Sequence, residues 1–146
     1  MDPQINTEVK KEKIKLDFKE SKYATGRRKK SIARVWVKKG DGTIFVNGKK
    51  MNDYFSKQNL QIAITRPFKI IERENEFDVR CTVKGGGLSG QAGAIIHGIS
   101  RALVEFEPTI KKILKKEKLT TRDSRSVERK KPGFRKARRS FQFSKR

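Results

Sequence analysis

Three stretches of this sequence hold residues whose types and spacing could do chemistry. The first is Gly85-Gly86-Gly87-Leu88-Ser89-Gly90. It matches G-x-G-x-x-G and lies between a strand-like and a helix-like segment, the context of a dinucleotide site. Glu105 stands about 20 residues on, the spacing of an acidic ribose partner. Against that reading, Glu105 falls in the same helical run and no second strand completes a βαβ unit. The preceding strand also alternates, where a central parallel strand would be almost wholly apolar. Two other readings stand beside it. One is a tight turn with close helix packing. The other is a helix N-terminus whose glycine-exposed N–H groups hold an RNA phosphate.

The second stretch is Thr25-Gly26-Arg27-Arg28-Lys29-Lys30-Ser31. It reads as a loop ahead of a strand. Four adjacent cations suit phosphate contact, and the two hydroxyls can add hydrogen bonds. The plainer alternative is a solvated surface turn. The third stretch is the C-terminal tail, where Arg122, Arg125, Arg129, Lys130, Lys131, Arg135, Lys136, Arg138 and Arg139 interleave with Phe134, Phe141 and Phe143. Cations neutralise phosphates and release counterions, while aromatics stack on bases or pack into RNA grooves. A purely electrostatic arm needs no phenylalanines. Asp123 and Glu128 are expected to pair with flanking arginines and fix local shape. Fully extended, Thr120 to Arg146 would reach roughly 90 Å at about 3.3–3.6 Å per residue.

The charge balance agrees with these stretches. The chain carries 38 Lys+Arg against 16 Asp+Glu, a net charge of +22 over 146 residues. Such a chain repels itself and calls for a polyanion, with nucleic acid first and an anionic membrane surface second. No apolar run approaches the ~18 residues of a membrane span. The N-terminus lacks the apolar segment of a secretory signal and is too acidic for a transit peptide. Cys81 is the one cysteine and His97 the one histidine. An intrachain disulfide framework and a four-ligand zinc site are thereby excluded. Cys81 reads as a small buried hydrophobe and His97 as a packed or surface residue. No nucleophile–base pair, metal spacing or Walker loop appears. The expectation is a non-enzymatic, cofactor-free protein of a reducing cytoplasm.

The elements that must position these residues follow from apolar spacing. Residues 1–22 are mixed in charge and expected to be a disordered extension. Residues 23–114 hold 26 of the 36 Leu, Ile, Val and Phe and read as one α+β body. Residues 115–146 carry 14 basic and 3 acidic side chains, too polar to fold alone. Within the body, Ser31–Lys38 and Thr43–Val46 read as a β-hairpin across the Lys39–Gly42 turn, with a further turn at Asn47-Gly48. A short helix is expected from Asn52, and a helical stretch interrupted at Pro67. Phe77–Val83 alternates as a half-buried strand. Leu88–Phe106 is a helix, with Ile95, Ile99, Ala102, Leu103 and Phe106 on one face. Gly90, Ala94, Gly98 and Ala102 form a small-residue row that lets it lie close to another backbone. Ile110, Ile113 and Leu114 continue a shorter amphipathic helix.

Three blocks carry a family resemblance: residues 23–35 (Tyr-Ala-Thr-Gly-Arg-Arg-Lys-Lys-Ser-Ile-Ala-Arg-Val), residues 83–94 (Val-Lys-Gly-Gly-Gly-Leu-Ser-Gly-Gln-Ala-Gly-Ala), and the tail ending Gln142-Phe143-Ser144-Lys145-Arg146. Over residues 23–146 the chain resembles ribosomal small-subunit protein nine of the bacterial and organellar type. The resemblance implies a compact two-layer α+β body like the second domain of ribosomal protein five. It implies binding to ribosomal RNA in the head of the small subunit beside neighbouring head proteins, with no membrane. It also implies that the tail threads toward the peptidyl-site tRNA, with Ser144, Lys145 and Arg146 near the anticodon stem-loop. Ile96 departs from the family pattern, standing where relatives often carry a basic residue.

On this reading Arg27, Arg28, Lys29, Lys30, Lys84 and the turn Gly85, Gly86 and Gly87 anchor the body on rRNA, and the tail cations extend the contact. Two readings of other classes stand beside it. One is a DNA-compacting or RNA-chaperone protein with a generic basic arm. The other is a nucleotide-dependent enzyme using the glycine turn.

Overall fold

Residues 20–145 are described by a computed structural model. Arg146 and residues 1–19 of the expected extension lie outside them. The strands are β1 (Lys22–Arg28), β2 (Ser31–Lys39), β3 (Ile44–Val46), β4 (Lys49–Lys50) and β5 (Phe77–Lys84). The helices are α1 (Met51–Tyr54), α2 (Gln58–Ile70), α3 (Leu88–Phe106) and α4 (Lys111–Lys116), with a 3-10 turn at Pro108–Ile110. The α+β expectation holds. The sheet order is β1-β2-β5-β3-β4, antiparallel except where β3 runs parallel to β5.

Alternation decides which side of the sheet is buried. Ala33, Val35 and Val37 of β2 pair in register with Val83, Cys81 and Val79 of β5, and all six are buried. Ile44 and Val46 of β3 continue the same layer. Helix α3 lays Ala94, Ile95, Ile99, Ala102 and Leu103 on it. Phe55, Ile64 and Phe68 close the core at the β3 side, where Phe68 stacks on Phe77 at 6.1 Å. Leu88–Phe106 is helical over the expected range, with Phe106 half-buried.

The expected hairpin between Ser31–Lys38 and Thr43–Val46 does not form, because β5 lies between those strands. Asp78 Oδ1 accepts the N–H groups of Asp41, Gly42 and Thr43 at 3.0, 3.0 and 2.9 Å. That carboxylate carries the connection across the end of β5, so the chain enters the sheet on its far side. The basic segment is likewise no loop. Thr25–Arg28 belongs to β1, and only Lys29 and Lys30 make the turn into β2. Nor does Pro67 interrupt its helix, which runs from Gln58 to Ile70. Proline forfeits one backbone hydrogen bond, but Pro67 and Phe68 both lie on the buried face, and their packing offsets it. In the last helical segment Ile110 and Leu114 are buried, whereas Ile113 points outward.

The tightest packing lies between α3 and β1. A Cβ on Gly26 would overlap the Ala94 carbonyl and the Gly98 amide. A Cβ on Gly98 would stand 2.5 Å from Val35 Cγ2 and 3.2 Å from the Gly26 nitrogen. The small-residue row therefore serves the close approach expected of it. Gly26→Ala forces backbone apart from backbone and is expected to cost about 3 kcal/mol or more. Gly48→Ala meets open space at φ +80° and is expected to cost only the left-handed penalty of about 1–2 kcal/mol. Urea midpoints of the two variants check the difference.

Candidate nucleic-acid interface

The β1–β2 turn places Lys29 at φ +51° with Lys30 beside it, both exposed. Next to it sits the glycine turn, because Ile32 of β2 is in register with Lys84 of β5. Gly85 and Gly86 take φ of +75° and +62°, a conformation natural to glycine. Space demands glycine as well. A Cβ on Gly85 would lie 2.5 Å from the Lys30 carbonyl, and one on Gly86 would overlap the Ser31 hydroxyl. Ser31 Oγ donates to the Gly85 carbonyl at 3.0 Å, and Gln91 Nε2 donates to the same oxygen at 3.1 Å.

These contacts clamp the two basic segments side by side at one end of the sheet. Helix α3 starts there with Gly87 as its N-cap and no side-chain cap. The first amides of a helix carry a partial positive charge, and here they sit among Lys29, Lys30 and Lys84. The turn-and-packing reading of Gly85–Gly90 is observed. The dinucleotide arrangement is not: α3 leads into short helices, and among the described residues no strand follows β5.

The root of the tail reaches the same corner. Arg28 crosses α3 at Gly93, where a Cβ would collide with its side chain, and pairs with Asp123 at 3.7 Å. Arg27, Arg28, Arg66, His97, Lys118 and Asp123 help line a cleft of about 310 Å³ there. Ile96 lines it too, as a half-buried apolar residue.

His97 Nδ1 accepts the Arg27 backbone N–H at 3.2 Å, and the ring also shares a backbone hydrogen bond with Thr120. The histidine thus ties β1 to the start of the tail. Its pKa is lowered from 6.5, first by burial and then by the charges of Arg101 and Arg122. Arg101 Nη1 adds a tie of its own, donating to the Thr25 carbonyl at 2.7 Å.

Beyond Thr120 the tail is exposed and organised by its two carboxylates. Asp123 receives Arg125 in a fork, with 2.7 Å to Nη2 and 3.0 Å to Nε. This fork holds the Asp123 carboxyl far below the usual carboxylate range, with Arg28 adding to it. Glu128 accepts from Lys131 and, at 2.9 Å, from Arg138, which lowers its pKa as well. Gly133 turns the chain at φ +78°, and the Arg135 guanidinium lies 5.4 Å over the Phe141 ring. Phe141 and Phe143 remain 60% and 87% exposed. Arg122, Arg129, Lys130, Lys136 and Arg139 line this arm, and Ser144 and Lys145 end its described part, all exposed.

Arg66, Arg101 and Lys118 join the corner without having been singled out in the sequence. Arg66 precedes Pro67, so reading a break there hid its place on a continuous helix. Cys81 takes no part: it is buried, its thiol approaches the Phe45 carbonyl at 3.2 Å, and burial pushes its pKa up to about 12.

Because the folded state disfavours charged His97, the unfolded chain takes up that proton first as pH falls below 6.5. Stability is therefore complete above that pH and declines below it, before the carboxylates titrate near 4. His97→Gln is expected to flatten this part of the profile, read as urea midpoint against pH.

A family model described as ribosomal protein S9/S16 matches residues 26–146, which takes in the basic turn, the glycine turn and the whole tail.

Proposed function

Because the chain belongs to the ribosomal protein S9/S16 family, and so is a structural protein of the small ribosomal subunit, we propose that the corner just described is its rRNA anchor. One observation carries this reading: three basic segments far apart in sequence converge at that corner. Arg27, Arg28, Lys29 and Lys30 come from the β1–β2 turn, Lys84 with Gly85–Gly87 from the glycine turn, and Lys118 to Asp123 from the root of the tail. Like charges gathered this way repel one another, and a phosphate backbone relieves the repulsion.

Each part has its own role. The cations neutralise phosphates. The amides of Gly87 and the first turn of α3 donate hydrogen bonds to one phosphate oxygen. The tail cations, from Arg122 through Arg139, continue along the RNA in the head of the subunit. Phe134, Phe141 and Phe143 fill grooves or stack on unpaired bases. Ser144, Lys145 and Arg146 then contact phosphates of the anticodon stem-loop of the peptidyl-site tRNA. No step of this role is catalytic and no cofactor enters it. The remaining partners are neighbouring proteins of the head, and the compartment is the cytoplasm of a bacterium.

Deleting residues 144–146 tests the tip. Subunits carrying the shortened chain are expected to assemble and to bind peptidyl-site tRNA about tenfold more weakly, the loss of one or two charge-assisted hydrogen bonds. Filter binding of tRNA to purified subunits measures it, and unchanged affinity would overturn the tip's role. Scrambling the tail at constant composition tests threading. A chain that still joins the subunit after scrambling acts as a generic basic arm instead.

A further inference from the structure

The root of the tail does more than reach the corner: it is fastened across the ends of three elements. Lys118 turns the chain at φ +59°, and the Leu119 N–H donates to the Leu114 carbonyl at 3.1 Å. The segment is then tied at every third residue. Glu117 pairs with Arg66 of α2 at 2.9 Å. The Thr120 backbone bonds the His97 ring of α3. Asp123 pairs with Arg28 of β1 at 3.7 Å. The cleft of about 310 Å³ lies between these ties.

Its inner wall is apolar. Ile96 and Leu119 pack against the core, and half-buried Ala63 of α2 lines the cleft beside them. Packed helices ordinarily fill such a space with large side chains. Here α3 contributes Gly93, which has to stay bare because the Arg28 side chain crosses it, and α2 contributes a single methyl. A side wall is the His97 ring, fixed by the Arg27 and Thr120 backbone and held below its ordinary pKa of 6.5 by burial, hence neutral at pH 7. The rim is cationic, with Arg27, Arg66 and Lys118 exposed. Among the described residues, the carboxylates at the cleft are Asp123 and Glu117, each already paired with arginine.

We propose that this cleft takes the base of one unpaired nucleotide, whose flanking phosphates are held by Arg27, Arg66 and Lys118. The proposal rests on the rRNA reading above and adds the class of RNA that the corner selects, a strand with a bulged base instead of an unbroken duplex. The selectivity comes from shape and not from a count of charges. At about 310 Å³ the cleft stands at the small end of ligand sites, which span about 300–1,000 Å³, so it suits one ring system and nothing larger. An apolar wall beside an imidazole face rewards a flat ring, and only unpaired nucleotides expose theirs. Extruding a base is least costly where it has no pairing partner. The three ties hold the cleft in shape beforehand, so little ordering is left to the moment of binding. The Arg66–Glu117 pair is exposed and weak, and a phosphate can replace the carboxylate.

Three labelled hairpins of one stem sequence provide the test: one fully paired, one with a single bulged uridine, and one with an abasic residue at the bulge. The full chain is titrated with each at moderately high salt, where binding through phosphates alone weakens, and anisotropy is followed. The bulged uridine is expected to bind about tenfold more tightly than the other two, the worth of one stacked base. Ala63→Leu fills the cleft and is expected to bring the bulged hairpin down to the paired one, whose affinity stays unchanged. Ile96→Ser keeps the space but removes apolar contact, and is expected to lose most of the preference. Urea midpoints check that both variants fold. Equal binding of all three hairpins overturns the cleft and leaves the corner anchor intact. A preference for both bulges over the paired stem reports a bent backbone and overturns it too. Binding of none overturns both readings. Thiouridine placed at the bulge is expected to cross-link to the segments that carry Ala63 or Ile96, and adducts on any other part of the chain, residues 1–19 included, overturn the proposal.

Discussion

Everything in this structure hangs on how closely the α3 backbone is pressed onto β1. Gly26 and Gly98 meet where neither can carry a side chain. A row of contacts runs along the helix from that point: Gly90 against Ser31, Gly93 against Arg28, His97 with Arg27, and Arg101 with Thr25. Successive members lie three or four residues apart on α3, the repeat that keeps one helical face in line. Each of them fixes a residue of β1 or the first residue of β2. The basic turn, the helix N-terminus and the root of the tail therefore hold one geometry because a single helix is locked against a single strand.

The same constraint explains why β1 was hard to read in the sequence. A strand announces itself by alternating large apolar residues. The inward positions of β1 are Ala24 and Gly26, because α3 comes too close for anything larger. The strand's apolar signal is removed by the very packing that makes it a strand. What remains visible is its charge, Arg27 and Arg28, and charge alone reads as a loop. The small-residue row of α3 was legible because it recurs at a helical spacing. The β3 crossing was not legible, since it depends on Asp78 reaching three amides 35 to 37 residues away in sequence.

The candidate interface was legible as composition and illegible as geometry. The cation runs, the glycine turn and the aromatic spacing of the tail are all local patterns. Their meeting at one corner is set by register, Ile32 with Lys84, and by the Arg28–Asp123 pair. Arg34 and Trp36 lie within one alternating segment of the sequence, and only the register sets them beside Thr25 and Tyr23 of the neighbouring strand. A residue's parity on its strand decides whether it serves the core or a ligand, and parity is known only once the register is.

The carboxylates of the tail make a final point about how a basic arm is organised. Asp123 and Glu128 each gather two cations. The cations of the tail itself sit in exposed pairs, and such pairs add little net stability because water competes for both partners. Their effect is on shape. Each pair bends the chain locally and keeps like charges from driving it apart. Because the pairs are weak, a phosphate can replace a carboxylate as the partner of Arg125 or Arg138 at small cost. An arm of cations alone would reach the RNA as a broad ensemble and lose more conformational entropy on ordering. An arm whose cations were buried in strong pairs would have none to offer. Weak internal pairing lies between those limits, giving the tail a preferred path while leaving its charge available for exchange.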